Sequence, residues 1–76
     1  MTNTDLLKRK IHDSGFKQVW LAEKLSLSES ALSLKVNGKR YFNQVEIENL
    51  RKLLKLSRAD AEKIFFAKSV GETPTN

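Results

Sequence analysis

The side chains with chemistry to offer in this chain are its cations. Between Lys35 and Arg58 lie seven of them, Lys35, Lys39, Arg40, Arg51, Lys52, Lys55 and Arg58, against only two acids, Glu46 and Glu48. A second basic run, Lys8-Arg9-Lys10, falls near the start of the chain. Fourteen Lys and Arg against nine Asp and Glu give a formal charge of +5 and a pI near 9.8. That balance favours a polyanionic partner, although ordinary solubilising charge would produce the same count. Covalent and metal chemistry have far less to work with. There is no cysteine, and His12 is the single histidine, so a metal site would lack ligands and His12 reads as a surface or core-edge residue. No glycine-rich phosphate loop and no carboxylate pair on neighbouring elements is present, and Ser26, Ser28, Ser30 and Ser33 read as turn, cap and outward polar positions rather than as a nucleophile. The expectation is a binding protein rather than an enzyme, without cofactor, metal or small-molecule ligand.

The elements that must position these side chains follow from period and caps. Seventy-six residues make one small domain, and a chain of that size buries only about 60% of the surface its unfolded form exposes. Without disulfides, helix packing must supply the stability. No run approaches the ~20 apolar residues of a membrane span, and the start of the chain lacks the apolar segment of a secretory signal, so a soluble cytoplasmic protein is expected. Thr4 is placed to cap a first helix from Asp5 to about Asp13, with Leu7 and Ile11 facing inward and Ser14-Gly15 ending it. A second helix from Gln18 to Leu25 turns Leu21, Ala22 and Leu25 inward. Ser26, Leu27 and Ser28 form a joint, and Ser28 caps a third helix from Glu29 to Val36, whose Leu32 and Val36 share the inner side. Asn37-Gly38 closes that helix, Gly38 being able to take the left-handed conformation of a C-terminal cap.

Beyond it, Lys39-Arg40-Tyr41-Phe42 makes a basic, aromatic loop. Asn43 and Glu46 stand in capping-box register, with Phe42 and Ile47 at the staple positions, which predicts a fourth helix to about Lys55 with Ile47, Leu50, Leu53 and Leu54 along its apolar stripe. Ser57 caps a fifth helix from Arg58 to about Lys68, with Ala61, Ile64 and Phe65 inward and Phe66 at the border. Residues 71–76, GETPTN, are expected to be a disordered tail behind a single domain over residues 1–70. The fold class expected is therefore all-α, five helices. Three side chains stand out from this scheme. Val19, Trp20 and Leu34 are apolar at positions that should face outward, and Lys35 must run its stem past the core edge to reach solvent. Trp20 either folds back on the first helix or the tail, or anchors a partner, and an exposed Phe66 would favour a dimer or a partner.

Helix, three-residue turn and capped second helix over residues 18–37 make a helix-turn-helix reading. Gly15-Phe16-Lys17-Gln18, Leu21-Ala22-Glu23-Lys24-Leu25, Ser28-Glu29-Ser30-Ala31-Leu32-Ser33 and Asn37-Gly38-Lys39-Arg40 together resemble the Cro and lambda-repressor-like helix-turn-helix family. The later Glu46-Ile47, Leu50, Leu54 and Ile64-Phe65-Phe66-Ala67 are similar to the small Cro-like regulators of temperate phages of Gram-positive bacteria, including the modulators of repression that oppose a CI-type repressor. The resemblance implies a five-helix DNA-binding domain whose third helix enters the major groove of double-stranded DNA. By that resemblance Gln18 contacts phosphate at the start of the second helix, Glu29, Ser30, Ser33 and Leu34 face base edges, and Asn37, Lys39 and Arg40 hold flanking phosphates. Lys17 and Ser28, at the two helix starts, join the expected DNA-binding set. Ser26 stands where the family often has Gly. Glu29 could accept a bond from the cytosine amino group and Leu34 could touch a thymine methyl, while no Arg, Asn or Gln occupies these positions of the third helix for bidentate base contacts.

Two functional expectations follow. In the first, the chain regulates transcription in a lysis/lysogeny genetic switch by binding operator DNA, as a dimer on half-sites roughly 34 Å apart, with a salt slope of about −3 to −4 per monomer. In the second, it is an antirepressor that grips the opposing CI-type repressor through Val19, Trp20, Leu34 and Phe66, with or without DNA.

Overall fold

The structure, a computed structural model, describes residues 2–66. They form five helices and, among the described residues, no strand: α1 (Thr4–Ser14), α2 (Gln18–Lys24), α3 (Glu29–Val36), α4 (Gln44–Leu54) and α5 (Arg58–Phe65). An all-α fold is thus what the sequence builds. Each helix delivers one wholly buried side chain to a common centre, Leu7, Leu21, Leu32, Leu50 and Ile64. Around them close Ile11, Ala22, Leu25, Val36, Phe42, Ile47, Leu56, Ala61 and Phe65. Leu53 and Leu54 only flank this core, whereas Leu56, from the connection after α4, enters it.

Local signals set most boundaries. Ser28 Oγ accepts from the Ala31 N–H at 3.0 Å and Ser57 Oγ from the Asp60 N–H at 3.0 Å, so both serine caps sit where expected. The α4 capping box is complete: Asn43 Oδ1 accepts from the Glu46 N–H at 2.8 Å and Glu46 Oε1 from the Asn43 N–H at 2.9 Å. The staple residues Phe42 and Ile47 are both buried, and the Phe42 ring meets Phe65 edge to face at 5.6 Å. The cap of α1 differs from expectation. Asn3, not Thr4, is the N-cap, its Oδ1 accepting from the Leu6 N–H at 3.2 Å. The physical reason is tertiary, because the Asn3 N–H donates to the Ile64 carbonyl at 2.6 Å and ties that residue to α5.

Four turns end their helices with left-handed residues. Gly15 (φ 78°) closes α1. After α2, Ser26 takes φ 58°, the Ser26 N–H donates to Glu23 O at 3.1 Å and the Leu27 N–H to Ala22 O at 2.8 Å, the paired bonds of a Schellman ending. The tight joint therefore forms without glycine, at the steric expense of a side chain in left-handed backbone. Lys55 repeats the arrangement after α4 (φ 54°), with the Leu56 N–H donating to Arg51 O at 2.9 Å. A fourth turn, after α3, uses Gly38 (φ 79°), where a side chain would also stand 3.1 Å from the Thr4 methyl.

First and last helices are joined a second time by Lys10 Nζ and Asp60 Oδ2 at 3.2 Å. The hydrogen bond from Lys10 is the main reason that the Asp60 carboxyl titrates below its ordinary value of 3.8. Among the described residues no helix is long and apolar enough to cross a membrane. α5 ends earlier than the expected Lys68, at Phe65, with Phe66 as its C-cap; Ala67, Lys68 and the tail at 71–76 lie outside the described residues.

Candidate nucleic-acid interface

The outward face of α3 is set by spacing. With Leu32 and Val36 turned into the core, Ser30 and Leu34 fall on the opposite side of the helix, Ser33 is half-buried on its flank, and Glu29 is exposed in the first turn. The turn through Ser26 brings the start of α2 alongside, and Gln18 joins those four residues in lining one shallow concavity of about 490 Å³. Five of the ten expected DNA-binding residues therefore share one surface. Its chemistry is one carboxylate, one carboxamide, two hydroxyls and an apolar tip, Leu34 being 39% exposed.

Three of the other five are cations at the margins. Lys17 is exposed immediately before Gln18, as the N-cap of α2 without a side-chain capping bond. Lys39 and Arg40 are exposed in the loop directly after α3. None of the three has an ion-pair partner among the described residues. The remaining two are occupied within the fold. Ser28 Oγ caps α3. Asn37, expected to hold a phosphate, turns its Nδ2 back onto α3, donating to Ser33 O at 2.8 Å and to Ser33 Oγ at 3.4 Å. With the amide hydrogens directed there, the side chain serves the end of the helix.

Lys35 is the clearest departure from the sequence reading. Its stem does not carry the ammonium out to solvent: Nζ lies 2.6 Å from Glu46 Oε1, and the two side chains are only 12% and 9% exposed. The basic stretch from Lys35 to Arg58 is accordingly less free than its count suggests, since Lys35 is neutralised and Arg51 lies 4.0 Å from Glu48. Burial of an amphipathic Lys beside Leu32 and Val36 demands a countercharge, and that demand was the signal available in the sequence.

Apolar side chains also reach the surface. Val19 is 54% exposed. Trp20 is half-buried and packs against the edge of the core: its ring stacks against Phe16, with centroids 4.5 Å apart, and Lys24 Nζ sits 5.4 Å above it. Phe66 is 53% exposed and borders a groove of about 190 Å³ between α4 and α5, lined also by Ile47, Arg51, Arg58 and Glu62. His12 is exposed, and among the described residues no three His, Cys, Asp or Glu side chains gather in a way that could hold a metal ion.

No protein-family model matches the chain, and neither a curated protein nor a solved structure does.

Proposed function

We propose that this chain is a helix-turn-helix transcription regulator of the Cro and lambda-repressor-like kind, acting in a phage lysis/lysogeny switch by placing α3 in the major groove of operator DNA. One observation carries the reading: Gln18 of α2 and Glu29, Ser30, Ser33 and Leu34 of α3 line a single surface, with the exposed Lys17, Lys39 and Arg40 at its margins. Cations at the rim supply affinity for phosphates, and the short polar and apolar groups between them read base edges. Glu29, the one acid in the concavity, selects the amino group of cytosine and disfavours approach where none is present. So small a footprint calls for a second copy on a neighbouring half-site, and the exposed Phe66 beside the α4–α5 groove is available for that contact.

The test is a salt-series band shift on DNA from the promoter that the regulator controls. Three phosphate-binding cations predict a log-log slope of about −3 per monomer. Absence of a specific shift refutes independent DNA reading. The second reading, an antirepressor that grips a CI-type repressor, is favoured by the exposure of Val19. Adding the repressor to the same assay separates the two, because Val19→Ala, which adds no charge beside Lys17 and Gln18, then weakens any effect on the repressor's own shift while leaving the chain's DNA binding unchanged.

A further inference from the structure

The buried ion pair between α3 and α4 has a geometry that packing alone does not require. Glu46 Oε1 receives two donors at once, Lys35 Nζ at 2.6 Å and the Asn43 N–H at 2.9 Å. Lys35 belongs to the last turn of α3, and Asn43 is the cap of α4, so one oxygen bonds the end of one helix to the start of the next. The loop between them carries Lys39 and Arg40. At its near end, the Gly38 N–H donates to Lys35 O at 3.1 Å and the Lys39 N–H to Leu34 O at 2.8 Å. At its far end, Phe42 is buried in the core and Asn43 is held in the capping box. Each end is thus fixed to its own helix, and the Lys35–Glu46 bond fixes one end to the other.

A buried charge pair is seldom retained for stability, since apolar side chains of equal volume serve as well or better. Apolar contact, however, is non-directional and would allow α3 to slide against α4. We propose that Lys35 and Glu46 are positioning residues that lock the loop and so hold Lys39 and Arg40 at the DNA backbone, an inference that rests on the DNA-binding reading. Neither touches DNA. They act through the loop, and Lys35 contributes no phosphate contact of its own because its ammonium is bound to Glu46.

The test uses the double variant K35M/E46Q. Met keeps the stem of Lys35, and Gln keeps the acceptor for the Asn43 N–H, so the capping box and the core survive. The melting temperature is expected to stay within about 8 °C of the parent. Amide exchange at Lys39 and Asn43 in the free protein should accelerate by about tenfold, with the core helices unchanged. The salt slope of DNA binding should fall by about 2, the share of two phosphate contacts. K39A/R40A in the parent should lower it equally, and combining all four substitutions should lower it no further. Should the double variant fail to fold, K35Q/E46Q, which leaves no unpaired buried charge and keeps the acceptor for the Asn43 N–H, is expected to shift exchange and slope in the same directions. Unchanged exchange and an unchanged slope in a folded variant overturn the lock while leaving DNA binding intact. If the parent shows no salt-dependent DNA binding, the DNA reading and the phosphate role fall together, and the exchange rates alone then decide whether the pair orders the loop.

Discussion

Replacing Ser26 by glycine should make the protein more stable, against the usual direction of a glycine substitution. Ser26 holds φ 58° at the joint between α2 and α3, and its side chain is exposed. An L-residue in that region carries roughly 1–2 kcal/mol of steric cost. Glycine removes it but enlarges the freedom of the unfolded chain, which returns about 0.5–1 kcal/mol. The net gain is about 0.5–1 kcal/mol, because the Ser26 and Leu27 amides keep their bonds to Glu23 O and Ala22 O whichever residue stands there. In a domain of this size such a gain raises the melting temperature by about 4 °C. Thermal unfolding of Ser26→Gly beside the parent, followed by far-UV circular dichroism, measures it directly. A lowered melting temperature would refute the reasoning, since it would mean that the serine side chain contributes more at this turn than its backbone conformation costs.

Two further outcomes follow from the same structure. The Asp60 carboxyl is held below its ordinary value of 3.8 mainly by the Lys10 hydrogen bond, so its contribution to stability is present above that value and is lost as the pH falls through it toward the lower folded-state value. Lys10→Met should therefore flatten the dependence of melting temperature on pH between about 5 and 2, and an unaltered profile would remove this pair from the account. Glu29→Ala should relax discrimination at one base position, worth about 1–3 kcal/mol, while leaving the salt slope unchanged; a changed slope would mean that Glu29 acts on the backbone and not on a base.

Much of the fold was legible in the sequence because its signals are local. Ser28, Asn43 with Glu46, Ser57 and Gly38 each act within one turn of chain, and each occupies the predicted place. The far side of α3 was legible for the same reason, since fixing Leu32 and Val36 inward leaves Ser30 and Leu34 outward, whereas the exposure of Glu29, in register with Leu32 and Val36, comes from its place at the start of the helix. What was missed depends on residues far apart in sequence. Asn3 displaces Thr4 as the cap through a bond to Ile64, and Lys35 finds Glu46 only after the intervening loop has folded. Lys55 is a different case: nothing in its side chain favours a left-handed backbone, and the paired turn bonds to Arg51 and Lys52 impose it. Asn37 could serve either a helix end or a partner, and side-chain geometry alone shows it bonded to Ser33.

The joining of α1 to α5 has a consequence for how the chain is made. α1 packs against α3, α4 and α5, and its Asn3 and Lys10 bond to Ile64 and Asp60. During synthesis α1 must therefore wait for α5 before its apolar face is fully covered. At about 5–20 residues per second, that interval lasts several seconds, during which Leu7 and Ile11 have no finished core to enter. A nascent chain stalled before α5 would leave part of that apolar surface unclosed, open to chaperones and proteases.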